Sequence, residues 1–184
     1  MRIIITLLFL LPTTAIAQNF TTALEADLTG DGLIDRAELY ETDEGGEADL
    51  NIWVRKPDGQ LDLRMKAKSV VWVGGIGQYP ELAVTPHGSL LIRSMNESIG
   101  RDRWHQTLTV AWRDDTFVLA GFTYDWYDTL DPEKSGTCDV NLLSGKGERT
   151  KGTFLRPIEF HTKSPSGPID MWDGTPPTEC FPDT

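Results

Sequence analysis

From residue 49 to residue 143 the chain is made of short runs in which apolar and polar residues alternate, each closed by a turn signal. A side-chain period of two belongs to a strand with one buried face, and runs this short leave no window for a long amphipathic helix. The runs are 49–56, 61–66, 69–73, 81–85, 89–95, 104–113, 116–124 and 138–143, rich in Val, Ile, Thr and aromatic residues. Leu108, Val110 and Trp112 against Thr107, Thr109 and Ala111 show the alternation most clearly. The expected fold is mainly β, an antiparallel β-sandwich or barrel-like domain with few short helices.

Turn chemistry fixes where the strands reverse. Asp114-Asp115 reads as a two-residue hairpin turn between 104–113 and 116–124, and Pro57-Asp58-Gly59 and Pro86-His87-Gly88 as two more. Short helical pieces are expected only at 20–26 and 129–135. Past Phe154 the composition changes, and six of the eleven prolines follow: Pro157, Pro165, Pro168, Pro176, Pro177 and Pro182. Residues 18–156 then form one β-rich domain, with 157–184 as a proline-rich tail laid on it.

Residues 1–17 read as a removable export signal: Met1-Arg2 supplies a positive start, 3–11 an apolar stretch, and Ala15-Ile16-Ala17 the small-x-small cleavage pattern. That stretch is too short to span a bilayer. A periplasmic or secreted protein is expected, and in an oxidising compartment Cys138 and Cys180, the only two cysteines, read as a disulfide that ties the tail down. The net charge of −11 repels phosphate backbones, which makes nucleic acid a poor partner and basic partners or cations better ones.

One motif is sharp. Over residues 27–38, Asp27, Thr29, Asp31, Asp35 and Glu38 place side-chain oxygens at loop positions 1, 3, 5, 9 and 12, Gly32 stands at 6, and the carbonyl of Leu33 falls at 7. Calcium takes six to eight oxygens, and this spacing turns successive side chains inward while the glycine allows the bend. The segment resembles an EF-hand loop, and equally the Asp-rich calcium loops of FG-GAP and VCBS-type repeats in exported β proteins. That resemblance implies a structural calcium ion. The surrounding β pattern favours the strand-flanked version, in which the acid at position 12 is dispensable. Thr29 stands where both families usually carry Asp or Asn, which implies weak affinity, of the order of 10⁻⁴ to 10⁻³ M. Residues 96–143 also resemble an uncharacterised family of exported bacterial proteins, which transfers no catalytic residue.

A second cluster, Asp125, Trp126, Tyr127 and Asp128, combines carboxylates with aromatic rings as a carbohydrate site would. Other constellations are incomplete. His87, His105 and His161 lack zinc spacing; Lys134-Ser135-Gly136 lacks the Ser-x-x-Lys partner of penicillin-recognising enzymes; and Gly74-Gly75-Ile76-Gly77 lacks the Lys and Ser/Thr of a phosphate loop. With no complete catalytic motif, the expected function is a calcium-stabilised binding or interaction module with a protein or glycan partner. The alternatives are a carbohydrate-binding or carbohydrate-active protein, and an envelope inhibitor or immunity protein.

Overall fold

The computed structural model describes residues 21–42, 46–75 and 77–181, without the side chains of Phe154 and Leu155. The expected export signal at 1–17 lies outside the described residues. Four strands, β1 (Thr21–Ala26), β2 (Asp35–Glu41), β3 (Glu47–Arg55) and β4 (Leu61–Trp72), make one antiparallel sheet in the order β1-β2-β3-β4. Seven more make the second: β5 (Glu81–Val84), β6 (Leu90–Asn96), β7 (Asp102–Arg113), β8 (Thr116–Asp128), β9 (Asp131–Asn141), β10 (Lys146–Lys151) and β11 (Phe154–His161), again in sequence order. Every strand therefore pairs with its neighbour in the chain, so only local connections are needed to register either sheet.

The sheets face each other across one apolar layer. Ala37, Leu39, Leu50 and Ile52 from the first meet Leu90, Ile92, Leu108, Phe117, Phe122 and Val140 from the second, nearly all fully buried. Each such Leu, Ile or Phe contributes about 1.5–3 kcal/mol. β4 packs over β6 and β8, and β1 runs beside β5. The mainly β sandwich expected from the alternation is the fold observed.

The three expected turns are present. Asp114 and Asp115 have φ of 47° and 62°, the left-handed pair that a tight hairpin needs and that Asp tolerates better than most residues. Gly59 N–H donates to Lys56 O at 2.8 Å, and Gly88 N–H to Thr85 O at 3.0 Å. The runs 61–66 and 69–73 prove to be a single strand, β4, bent at a bulge: Ser69 takes φ 51° and its N–H donates to Asp49 Oδ1 at 2.9 Å.

Both expected helical pieces are corrected. Residues 21–26 form β1, whose helix-favouring Ala-Leu-Glu-Ala composition is overridden by pairing with β2 from Thr21↔Tyr40 to Ala26↔Asp35. Residues 129–135 are a tight turn and the start of β9, which pairs with β8 at Asp128↔Asp131. Helical geometry among the described residues is confined to two 3-10 turns, Ile169–Met171 and Thr178–Cys180. β10 and β11 were not expected either. Lys146–Lys151 carries no hydrophobic alternation, and Pro157 in β11 is tolerated because that strand is the sheet edge.

Beyond β11 the chain crosses back over the sandwich. Leu119 N–H donates to Gly167 O at 2.8 Å, Ile169 is fully buried, and Trp172 Nε1 donates to Val70 O at 3.2 Å. Cys138 and Cys180 form the disulfide, both buried, with Cα atoms 5.5 Å apart. The tail thus plugs the gap between the sheets and is fastened to β9.

Candidate functional site

The Asp-rich loop joins β1 to β2, so it is flanked by strands. Gly30 and Gly32 take φ of 81° and 85°, which a residue with a Cβ adopts only under strain. That bend brings backbone N–H groups toward the first carboxylate. Asp27 Oδ1 accepts Gly30 N–H at 2.7 Å, and its Oδ2 accepts Gly32 N–H at 2.9 Å. Asp31 Oδ1 accepts Leu33 N–H at 2.8 Å.

Asp35 works differently. Its side chain is fully buried at the start of β2; Oδ2 accepts Leu28 N–H at 2.9 Å and Thr29 N–H at 3.2 Å, while Oδ1 accepts Arg55 N–H at 2.9 Å. Arg55 also donates Nε–H to Ile34 O at 2.7 Å and Nη1–H to Gly59 O at 3.0 Å. The loop is thereby bound to the β3–β4 hairpin. On its other side the β5–β6 turn comes so close that a Cβ on Gly88 would stand 3.0 Å from Asp27 O.

Glu38 is not brought to the loop. Asp35, Ala37 and Leu39 are the buried face of β2, so Glu38 projects from the opposite face, three residues and about 10 Å along the strand. There it contacts Arg36 at 3.4 Å. The oxygens the loop itself can offer a cation are those of Asp27, Thr29 and Asp31 and the Leu33 carbonyl. Asp27 uses one N–H per oxygen and keeps lone pairs, whereas Asp35 is nearly saturated. Thr29 Oγ1 is buried with no hydrogen-bond partner. Among the described residues no three His, Cys, Asp or Glu side chains gather closely enough to hold a metal by themselves. A cation here would need the hydroxyl, the carbonyl and water as well as carboxylates, which is calcium's chemistry.

The second cluster is divided by the pleat of β8. Trp126 faces inward with Phe122 and Tyr124, half-buried: its ring lies 4.9 Å from that of Phe181 and covers Gly136, its partner on β9. Asp128 is buried on the same side, within 2.8 Å of Arg101 Nε, and accepts Leu130 N–H at 2.8 Å. Arg101 and then the Leu130 N–H hold this carboxyl below its usual range. Asp125 and Tyr127 project to the other face, where Tyr127 O–H donates to Glu97 Oε2 at 2.7 Å. That bond, followed by burial and the Glu97 charge, pushes the Tyr127 phenol up. The four residues therefore do not converge on one point.

Sequence reasoning missed Glu97, the hub of a small network. Besides Tyr127 it meets His105 Nε2 at 2.9 Å, and its backbone N–H bonds the side chain of buried Gln78. The cross-strand register that puts His105 opposite Met95 and Asp125 is what assembles it. Comparison with family models, curated proteins and solved structures gives no match.

Proposed function

We propose that this protein is an exported binding module whose β-sandwich is stabilised by one calcium ion held in the loop 27–35. The observation that carries the reading is the buried, unpartnered Thr29 Oγ1 in a loop already bent around the Asp27 carboxylate. A buried hydroxyl without a partner costs about 1–3 kcal/mol, and a cation at this point would remove that cost. Asp27, Thr29, Asp31 and the Leu33 carbonyl are the ligands, with water completing the shell. Asp35 anchors the loop from beneath. An ion there neutralises like charges and joins a loop that touches both the β3–β4 and the β5–β6 turns, so its role is structural.

The buried Cys138–Cys180 disulfide supports an oxidising compartment, and residues 1–17 supply the route to it. Among the described residues no helix is long and apolar enough to cross a membrane. Thermal unfolding with and without calcium tests the reading. At a calcium concentration one hundred times the dissociation constant, linkage adds about 2.7 kcal/mol. Melting temperature should rise by several degrees with calcium and not with sodium; equal melting in calcium and in chelator overturns the reading.

A further inference from the structure

The face of the seven-stranded sheet turned away from the core carries a recess with a volume of about 130 Å³ over β5, β6 and β7. Ile92 and Leu108 are fully buried on the core side, so the alternating neighbours Arg93, Met95, His105 and Thr107 stand on the outer side. Register sets them in two rows. Glu81, Arg93 and Thr107 lie side by side across the three strands, and Met95 lies beside His105. Tyr79, 49% exposed, closes the recess from the segment before β5.

We propose that this recess binds one neutral pyranose residue of a glycan. Size sets the first limit: an enclosed cavity of about 150 Å³ takes one benzene ring, so this slightly smaller, half-open recess can seat no more than one sugar ring, part of it outside. Its walls then select the chemistry. The Tyr79 ring and the Met95 thioether offer a carbon surface to the C–H face of a sugar. Arg93 is a donor only, Glu81 an acceptor only, and Thr107 and His105 serve vicinal hydroxyls as either. Among the described residues neither Arg93 nor Glu81 forms an ion pair, and their opposite charges leave the recess without a net preference for an ion. A phosphate would meet Glu81 opposite the single arginine. A metal would find one imidazole and one carboxylate, too few to hold it.

His105 is positioned for this task. Glu97 Oε1 lies 2.9 Å from its Nε2 and Tyr127 holds the other oxygen of Glu97, so the imidazole touches both the Glu97 carboxylate and the recess. The same sheet face continues as an open trough of about 470 Å³ past Thr109, Thr123 and Asp139, which leaves room for the neighbouring residues of a longer glycan. The inference rests on the binding-module reading above but uses no residue of the cation loop.

Methionine-methyl ¹³C NMR tests it on the intact protein. Met95 lies in the recess, Met65 is buried between the sheets, and Met171 is 77% exposed, so one label supplies the probe and two controls. Glucose, galactose, mannose and N-acetylglucosamine are titrated separately into the tens of millimolar, in calcium and in chelator. At least one should shift Met95 saturably while Met65 and Met171 stay in place. The outer-face variants Arg93→Ala and Thr107→Val should weaken that response tenfold or more. No Met95 shift with any of the four sugars, an equal shift at Met171, an unchanged response in both variants, or a Met95 shift produced instead by sodium benzoate or phosphate overturns the proposal. A sugar response that persists in chelator keeps it whatever the fate of the cation reading, which the calcium melts decide, so the two failures are told apart.

Discussion

The carboxylate of Asp35 accepts the backbone N–H of Arg55, twenty residues further on, at 2.9 Å. With Leu28 and Thr29 N–H on its other oxygen, one buried side chain satisfies three donors that β-ladder pairing leaves over. Asp35→Ala should cost about 3 kcal/mol or more, because those donors stay buried without an acceptor. Asp35→Asn keeps one acceptor oxygen and should cost less. Urea denaturation of both variants ranks them; a fully stable Asp35→Ala protein would show that the N–H groups find water instead.

The disulfide closes a loop of 42 residues, and chain-entropy arithmetic gives about 4 kcal/mol as its upper contribution. Replacing Cys138 and Cys180 by Ser should therefore lower the melting temperature by several degrees. Because Phe181 follows Cys180 and lies against Trp126 and Tyr124, tryptophan emission should shift to the red as the tail loosens. A melt unchanged by reductant would mean that Ile169 and Trp172 hold the tail unaided.

Asp128 gives stability a pH dependence of known sign. Its folded pKa is depressed by Arg101 and by Leu130 N–H, so its contribution is present above the unfolded value, about 3.9, and lost as pH falls through the folded one. Asp128→Asn should melt a few degrees below wild type at neutral pH, with the gap closing in acid. The opposite trend would assign the acid limb to another group.

Gly136 faces Trp126 across β8 and β9, and a Cβ there would collide with the indole and stand 2.6 Å from Thr150 O. Gly136→Ala should destabilise by about 1–3 kcal/mol through overpacking, measurable in the same urea titration. The effect should shrink without vanishing in Gly136→Ala combined with Trp126→Ala relative to Trp126→Ala alone, because the approach to the Thr150 carbonyl remains.

Strands with one buried face were readable because packing enforced the alternation: Leu108 and Val110 are buried and Thr107 and Thr109 are not. β10 was not readable, since Lys146–Lys151 lies near the sheet edge and nothing selects apolar residues there. In β1 the Ala-Leu-Glu-Ala composition favours a helix, and only the partner β2, a tertiary fact, decides otherwise. The bend at Gly32 was legible from the spacing of the motif. The face on which Glu38 lands was not, because a motif written as twelve positions does not say where the strand begins. His105 looked isolated for a similar reason: Glu97 and Tyr127 reach it only through register and a loop.

The most direct test is calorimetric titration of calcium into the purified protein, with Asp27→Ala and Asp31→Ala beside it. One site per chain should appear with a dissociation constant of about 10⁻⁴ to 10⁻³ M, the range of extracellular calcium modules, and should vanish in both variants while Glu38→Gln retains it. Absence of heat at millimolar calcium, or equal uptake by Asp27→Ala, would contradict a cation in the β1–β2 loop.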